Sequence, residues 1–184
     1  MENELNFMFD LETLGTAPRS VVLSIGAVVF YPEVNVVDHE FYIELNPKQK
    51  DRIIDPDTLA WWLKQDINPP LSGLVSLGDA VDCLSIYIKN QCREHNATPI
   101  LWANGIDFDW GLLKEIYNDL NYSLPVKYNA VRDQRTLARL FPEIKLEERP
   151  VGSAHNALED AKYQAKHLMN ILSHITALQK LHHG

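Results

Sequence analysis

LNFMFDLET, residues 5–13, is a short apolar run that ends in acids, and the strand it predicts anchors the rest of the layout. Leu5 to Leu11 has the length and composition of a buried strand. Asp10 and Glu12 are two apart, so on a strand their side chains share one face while Phe9 and Leu11 turn to the other. Two carboxylates side by side at the end of an apolar strand repel each other, and a metal ion is the usual remedy. Alone the pair is a weak signal, because Asp-x-Glu arises by chance in roughly half of chains this long. The competing reading is a solvated strand end.

Outward from this strand, a turn with Gly15 and Pro18 leads to a second apolar run from Val21 to Phe30. A third extended stretch, Val34 to Leu45, is stopped by Asn46 and Pro47. The three predict a meander. The pattern turns helical from Asp57 to Gln65, with Asp55 and Asp57 placed to cap it, and again from about Leu77 to His95. Pro99 to Ala103 predicts a short buried strand, Asp109 to Leu120 a helix, Val126 to Arg132 a strand and Gln134 to Leu140 a short helix. In the last helix Asn156 and Glu159 make an Asn-x-x-Glu capping box, and apolar positions recur through Ala161, Ala165, Leu168, Met169, Leu172 and Ile175. The sum is an α/β fold: a mixed sheet, antiparallel in its first three strands and parallel later, with helices packed on it.

With 184 residues, 46% of them hydrophobic, the chain is expected to form a single domain over residues 1–184. A formal net charge of -8 argues against a surface that holds phosphates by clustered Lys and Arg. The objection weakens if several acids are ligands, since two Mg²⁺ or Mn²⁺ ions would bring positive charge to the point a phosphate approaches. Cys83 and Cys92 lie nine residues apart in a predicted helix, about 13 Å along its axis and on opposite sides, too far for a disulfide. Both are expected to be buried packing residues of a reduced, cytoplasmic protein. Met1 to Asn6 has no basic start and is not expected to be a signal peptide, and no run approaches the ~20 apolar residues of a membrane span.

Three further residues carry chemistry. Asp109 follows the buried strand at the start of the next helix, where a carboxylate also makes a good cap, and cap and ligand are compatible. Asp107 is the alternative; Asp109 is preferred because, with Leu113, it begins the pattern that anchors the helix. His155 sits on a loop one residue before the cap Asn156, and Asp160 in the first turns of the helix. A loop histidine can swing toward a water and take its proton near neutral pH, while the carboxylate stays fixed.

These residues resemble the DEDDh subgroup of the DnaQ-like 3′–5′ exonucleases. Its first motif matches Phe9, Asp10, Leu11, Glu12 and Thr13, its second Asn104 through Phe108 and Asp109, and its third His155 followed five residues later by Asp160. The second carries an extra residue relative to the shorter DnaQ pattern, which affects Asn104 more than Asp109. Within the group the chain is most similar to the bacteriophage exodeoxyribonuclease A type, with ribonuclease AS as a neighbour, through Asp10 to Gly15, Thr58 to Trp62 and Arg132 to Thr136.

The resemblance implies a ribonuclease-H-like sheet and two Mg²⁺ or Mn²⁺ ions. Asp10 would bridge both, Glu12 and Asp160 would complete one, Asp109 would hold the second, and His155 would be the general base. It also implies that backbone groups of Thr13 and Leu14 receive the terminal 3′-hydroxyl and sugar, that Asn104 lies at the substrate, and that a homodimer forms. Trp61 and Trp62 point about 100° apart on a helix, so only one can face the core squarely. Packing of both is the commoner outcome, and Trp62 is the candidate for stacking on a base. Arg132 and Arg135 are expected to pair with Asp133 and support the site, and His182 with His183 reads as a frayed tail. The predicted function is a 3′–5′ exonuclease on single-stranded ends, DNA first and RNA second. An inactive nucleic-acid-binding module is the reading from another class.

Overall fold

β1 (Glu4–Thr13), β2 (Val22–Tyr31) and β3 (Val36–Glu44) pair antiparallel, while β4 (Thr98–Ala103) runs parallel to β1 and β5 (Val131–Asp133) parallel to β4. The sheet order is β3-β2-β1-β4-β5. This computed structural model describes residues 3–65, 67–146, 149 and 154–183, without the side chains of 182 and 183. The expected meander is therefore the first three strands, and the acid-bearing strand is the centre of the sheet. Phe7, Met8 and Phe9 are all fully buried, and since successive side chains alternate faces, both faces of β1 are covered.

The helices are α1 (Pro56–Trp62), α2 (Leu77–Glu94), α3 (Ile106–Asp119), α4 (Gln134–Leu140) and α5 (Ala157–His183). α5 lies against β1 and β2, burying Ala161, Ala165, Leu168 and Met169 from the expected stripe. One glycine permits this approach. A Cβ on Gly26, which pairs with Asp10 across β2 and β1, would lie 2.2 Å from the Ala157 carbonyl carbon. A second, smaller core of Leu14, Val21, Leu23 and Trp62 fastens α1 to the end of β1. There the Asp55 N–H donates to the Leu14 carbonyl at 2.7 Å and Trp62 Nε1 to the Thr13 carbonyl at 2.9 Å.

Several expectations change. The strand expected over Val126 to Arg132 is only Val131–Asp133; Val126 and Ala130 are buried from an irregular turn, so their apolar character reports burial rather than extension. The helix expected from Asp109 begins at Ile106, because Gly105 turns with φ 104° and the Asp133 carboxylate accepts the N–H groups of Gly105 and Ile106. That cap comes from 28 residues away and has no local signature. Asp133 also caps α4 through Thr136, so it does not pair with Arg132 or Arg135, whose guanidinium groups donate to the backbone carbonyls of Asn129 and Asn104. Cys83 is exposed and Cys92 half-buried, both free, so the reading of two buried packing thiols fails for Cys83. Asn156 caps α5 by accepting from the Leu158 and Glu159 N–H groups, while the Glu159 carboxylate binds Lys162. Among the described residues no helix is long and apolar enough to cross a membrane. The His182 and His183 side chains lie outside the described residues.

Candidate active site

β1 carries Asp10 and Glu12 on one face, and a register shift after Glu12 ends the regular pairing there. α3 brings Asp109 to the same end, 4% exposed, its Oδ1 accepting the Leu11 N–H at 3.3 Å. Asp107 is exposed, so α3 presents Asp109 and not Asp107 to the cluster. The first turn of α5 supplies Asp160, and His155 precedes it on a residue with φ 63°. Ligand atoms of Glu12, His155 and Asp160 all lie within 4.8 Å of one another, with Asp10 and Asp109 beside this trio. All five carriers of chemistry read from the sequence thus converge.

The electrostatics of the cluster are unfavourable without added positive charge. Burial first, then the charges of Asp160 and Asp109, push the Glu12 carboxyl up to about 8, against a smaller opposing effect of Arg149. Burial raises Asp109 to about 7, opposed by the Leu11 N–H and by Arg135. Asp10 is raised well above the ordinary carboxyl range by burial and by Asp109, Glu12 and Asp160, with the Gln164 amide opposing. Asp160 is raised by burial and held down by Arg149 and His155. Four acids this close cannot all ionise cheaply in a low-dielectric setting. Oxygen donors with one imidazole are a ligand set that hard divalent cations fit.

Arg149 is a residue that sequence reasoning passed over. Its Nη1 donates to Asp160 Oδ1, and its guanidinium lies 4.0 Å over the Tyr163 ring. Gln164, likewise unforeseen, donates from Nε2 to Asp10 Oδ1 at 2.7 Å. One signal could have found it: it lies four residues after Asp160, on the same face of α5.

Trp62 packs, as the commoner reading had it, while Trp61 does not, so Trp61 and not Trp62 is the ring left exposed. Trp62 is 1% exposed and hydrogen-bonded to Thr13, so it is core and cannot offer a face to a base; Trp61 is 41% exposed. Both rings meet His155 edge-on, Trp61 at 4.7 Å and Trp62 at 6.0 Å between centroids. The loop histidine is therefore packed edge-on against both aromatic rings. Beside it opens a cleft of about 510 Å³, lined by Glu12, Thr13, Thr16, Thr58, Trp61 and Phe108 among others. Leu14 is buried, gives its N–H to Val21 and accepts from Asp55, so it supports the turn and has no donor left for a sugar. Asn104 sits between β4 and α3 with its carbonyl held by Arg135, whose guanidinium leans over Gly105.

The model of the 3′-5′ exoribonuclease Rv2179c-like domain matches residues 5–172. The chain belongs to this family. A curated relative of the Rv2179c-like domain, the exodeoxyribonuclease of Enterobacteria phage T4, is 24% identical over 132 residues, 62% of this chain and 56% of the relative. The match therefore spans little more than half of that protein's length. The domain also superposes on the nuclease domain of 3'hExo, a DEDDh family member bound to rAMP, with TM-score 0.66 and 10% identity over 92% of each chain. Against the zinc-bound E. coli ExoI–ssDNA complex the TM-score is 0.66 at 13% identity, over 98% of this chain and 43% of the other. At these identities the likeness is one of fold. The ribonuclease-H-like layout and the DnaQ-like kinship expected from the motifs are both borne out.

Proposed function

We propose that this domain is a divalent-metal-dependent 3′–5′ exonuclease that releases nucleoside 5′-monophosphates from single-stranded ends. The observation that carries this reading is the convergence of Glu12, His155 and Asp160 within 4.8 Å, next to Asp10 and Asp109. Asp10, Glu12, Asp109 and Asp160 would hold Mg²⁺ or Mn²⁺, two ions per site. When bound, these ions would supply positive charge and Lewis acidity toward the phosphate oxygens. His155 would take the proton of the water that attacks the terminal phosphorus in line, as the bond from phosphorus to the 3′ oxygen of the preceding nucleotide breaks and that oxygen leaves, with the imidazole packed against Trp61 and Trp62. Trp61 and Phe108 line the cleft that receives the terminal nucleotide, with Thr13 at the sugar and Asn104 farther along the strand. Trp61, as the exposed ring, takes the stacking role first given to Trp62.

DNA is the first substrate reading, supported by the phage relative, an exodeoxyribonuclease. RNA is the second, supported by the family's description as an exoribonuclease domain. We further expect a cytoplasmic enzyme, in keeping with its two free thiols, and a homodimer, which sedimentation would test. The deciding experiment offers 5′-labelled single-stranded DNA and RNA of equal sequence with Mn²⁺, beside Asp160→Ala. The expected result is a ladder shortened from the 3′ end, mononucleotide product, and loss of both in the variant. Release of the label as a mononucleotide at the outset would reverse the polarity. Tight binding of both polymers with no turnover and no metal uptake would favour a binding module.

A further inference from the structure

We propose that Gln164 is a positioning residue that sets the Asp10 carboxylate for capture of a divalent cation. The inference rests on the metal-dependent reading of the site and concerns a residue outside its ligand set. Gln164 is one turn beyond Asp160 on α5, 6% exposed, and its Nε2 donates to Asp10 Oδ1 at 2.7 Å. Among the described residues its own Oε1, which is buried, has no hydrogen-bond partner.

A buried amide that uses its donor and leaves its acceptor unmet costs stability, so folding alone would favour an apolar side chain there. What the glutamine supplies is direction. An N–H aimed at Asp10 occupies one lone pair of Oδ1 and fixes the direction of the carboxylate. The carboxylate then cannot spin about its terminal bond, and Oδ2 with the other lone pair of Oδ1 remains for ligation. Gly26 makes the contact possible, since it sits opposite Asp10 and lets the start of α5 close onto the sheet. Hydrogen bonds that orient a ligand in this way typically contribute about 10–100-fold in metal affinity.

The test compares Mn²⁺ binding, read by the electron paramagnetic resonance of free Mn²⁺, in wild type, Gln164→Met and Gln164→Leu. Methionine keeps the length and apolar stem, and leucine guards against a methionine-specific packing fault. The expected result is Mn²⁺ affinity weakened about tenfold or more in both variants, with the metal-free melting temperature unchanged or raised. At saturating Mn²⁺ the KM for a single-stranded oligonucleotide should stay within about twofold of wild type, because Gln164 lies behind Asp10 and away from the cleft. Variants that bind Mn²⁺ as wild type does would overturn the proposal. So would weakened binding accompanied by a fall in the metal-free melting temperature, which would mark a merely structural role. A wild type that takes up no Mn²⁺ would instead sink the metal-dependent reading itself, and this inference with it.

Discussion

The Arg149 guanidinium stands on Asp160 and offsets part of the rise that burial imposes on the carboxyls of both Asp160 and Glu12, so it supplies some of the positive charge the cluster needs. A divalent ion must take Asp160 from it. Replacing Arg149 by Gln is therefore expected to tighten Mn²⁺ binding several-fold while lowering the metal-free melting temperature; weaker binding in calorimetry would show that Arg149 supports the loaded site instead. Trp61 and Trp62 give a second residue-level contrast. Trp62→Ala empties a core position and removes the bond to Thr13, so a loss of about 3–5 kcal/mol is expected in urea unfolding. Trp61→Ala should cost less than about 1 kcal/mol, as partly exposed positions do, yet lower turnover through the loss of its contact with His155. Equal stability losses in the two variants would contradict this division.

At the scale of elements, the site depends on how closely α5 approaches β2. Gly26→Ala would put a methyl 2.2–2.4 Å from backbone atoms of Ala157 and Leu158, where no rotamer change can relieve the clash. The helix must then shift, taking Asp160 and Gln164 with it. A destabilisation of about 1–3 kcal/mol is expected, together with weaker Mn²⁺ binding; a variant with normal stability and metal affinity would mean that α5 tolerates the displacement. Asp133 does comparable work at the end of the edge strand β5, since one carboxylate caps α3 and α4 together. In doing so it fixes where α3 starts, and with that the position of Asp109.

For the molecule as a whole, the crowded acids link stability to pH. Glu12 is raised from about 4.5 to about 8 and Asp109 from 3.8 to about 7 on folding, so the folded state holds protons that the unfolded chain has released. Stability slopes downward with pH wherever the folded state binds more protons. With respect to these groups the metal-free protein should therefore be most stable below about pH 4 and lose that contribution as pH rises to about 8. Divalent ions bind the deprotonated carboxylates, so the stabilisation by Mn²⁺ should grow over the same window. Melting temperatures at pH 5 and pH 8, with chelator and with Mn²⁺, check both halves. A chelated protein whose melting temperature rises with pH over that range would contradict the linkage.

Asp10 and Glu12 were legible because a strand alternates faces with period two, and Asp160 because it falls in the first turns of a helix whose capping box and apolar stripe are local signals. His155 and Asp109 were legible from their places at helix starts. The meander, the capped α5 and the mixed sheet also follow from local pattern. Local pattern could not assign Trp61 and Trp62, since both are apolar and adjacent, and which of them meets the small core around Leu14 depends on how α1 docks. Nor could it reveal the Arg149 contact to Asp160, the Gln164 bond to Asp10 across 154 residues, or the cap that Asp133 places on α3. The sequence by itself determined which chemistry the chain carries, because periodicity and side-chain type are local properties. Only the tertiary structure decided which groups hold that chemistry in place, because hydrogen bonds and burial between distant segments exist only once the helices have packed onto the sheet.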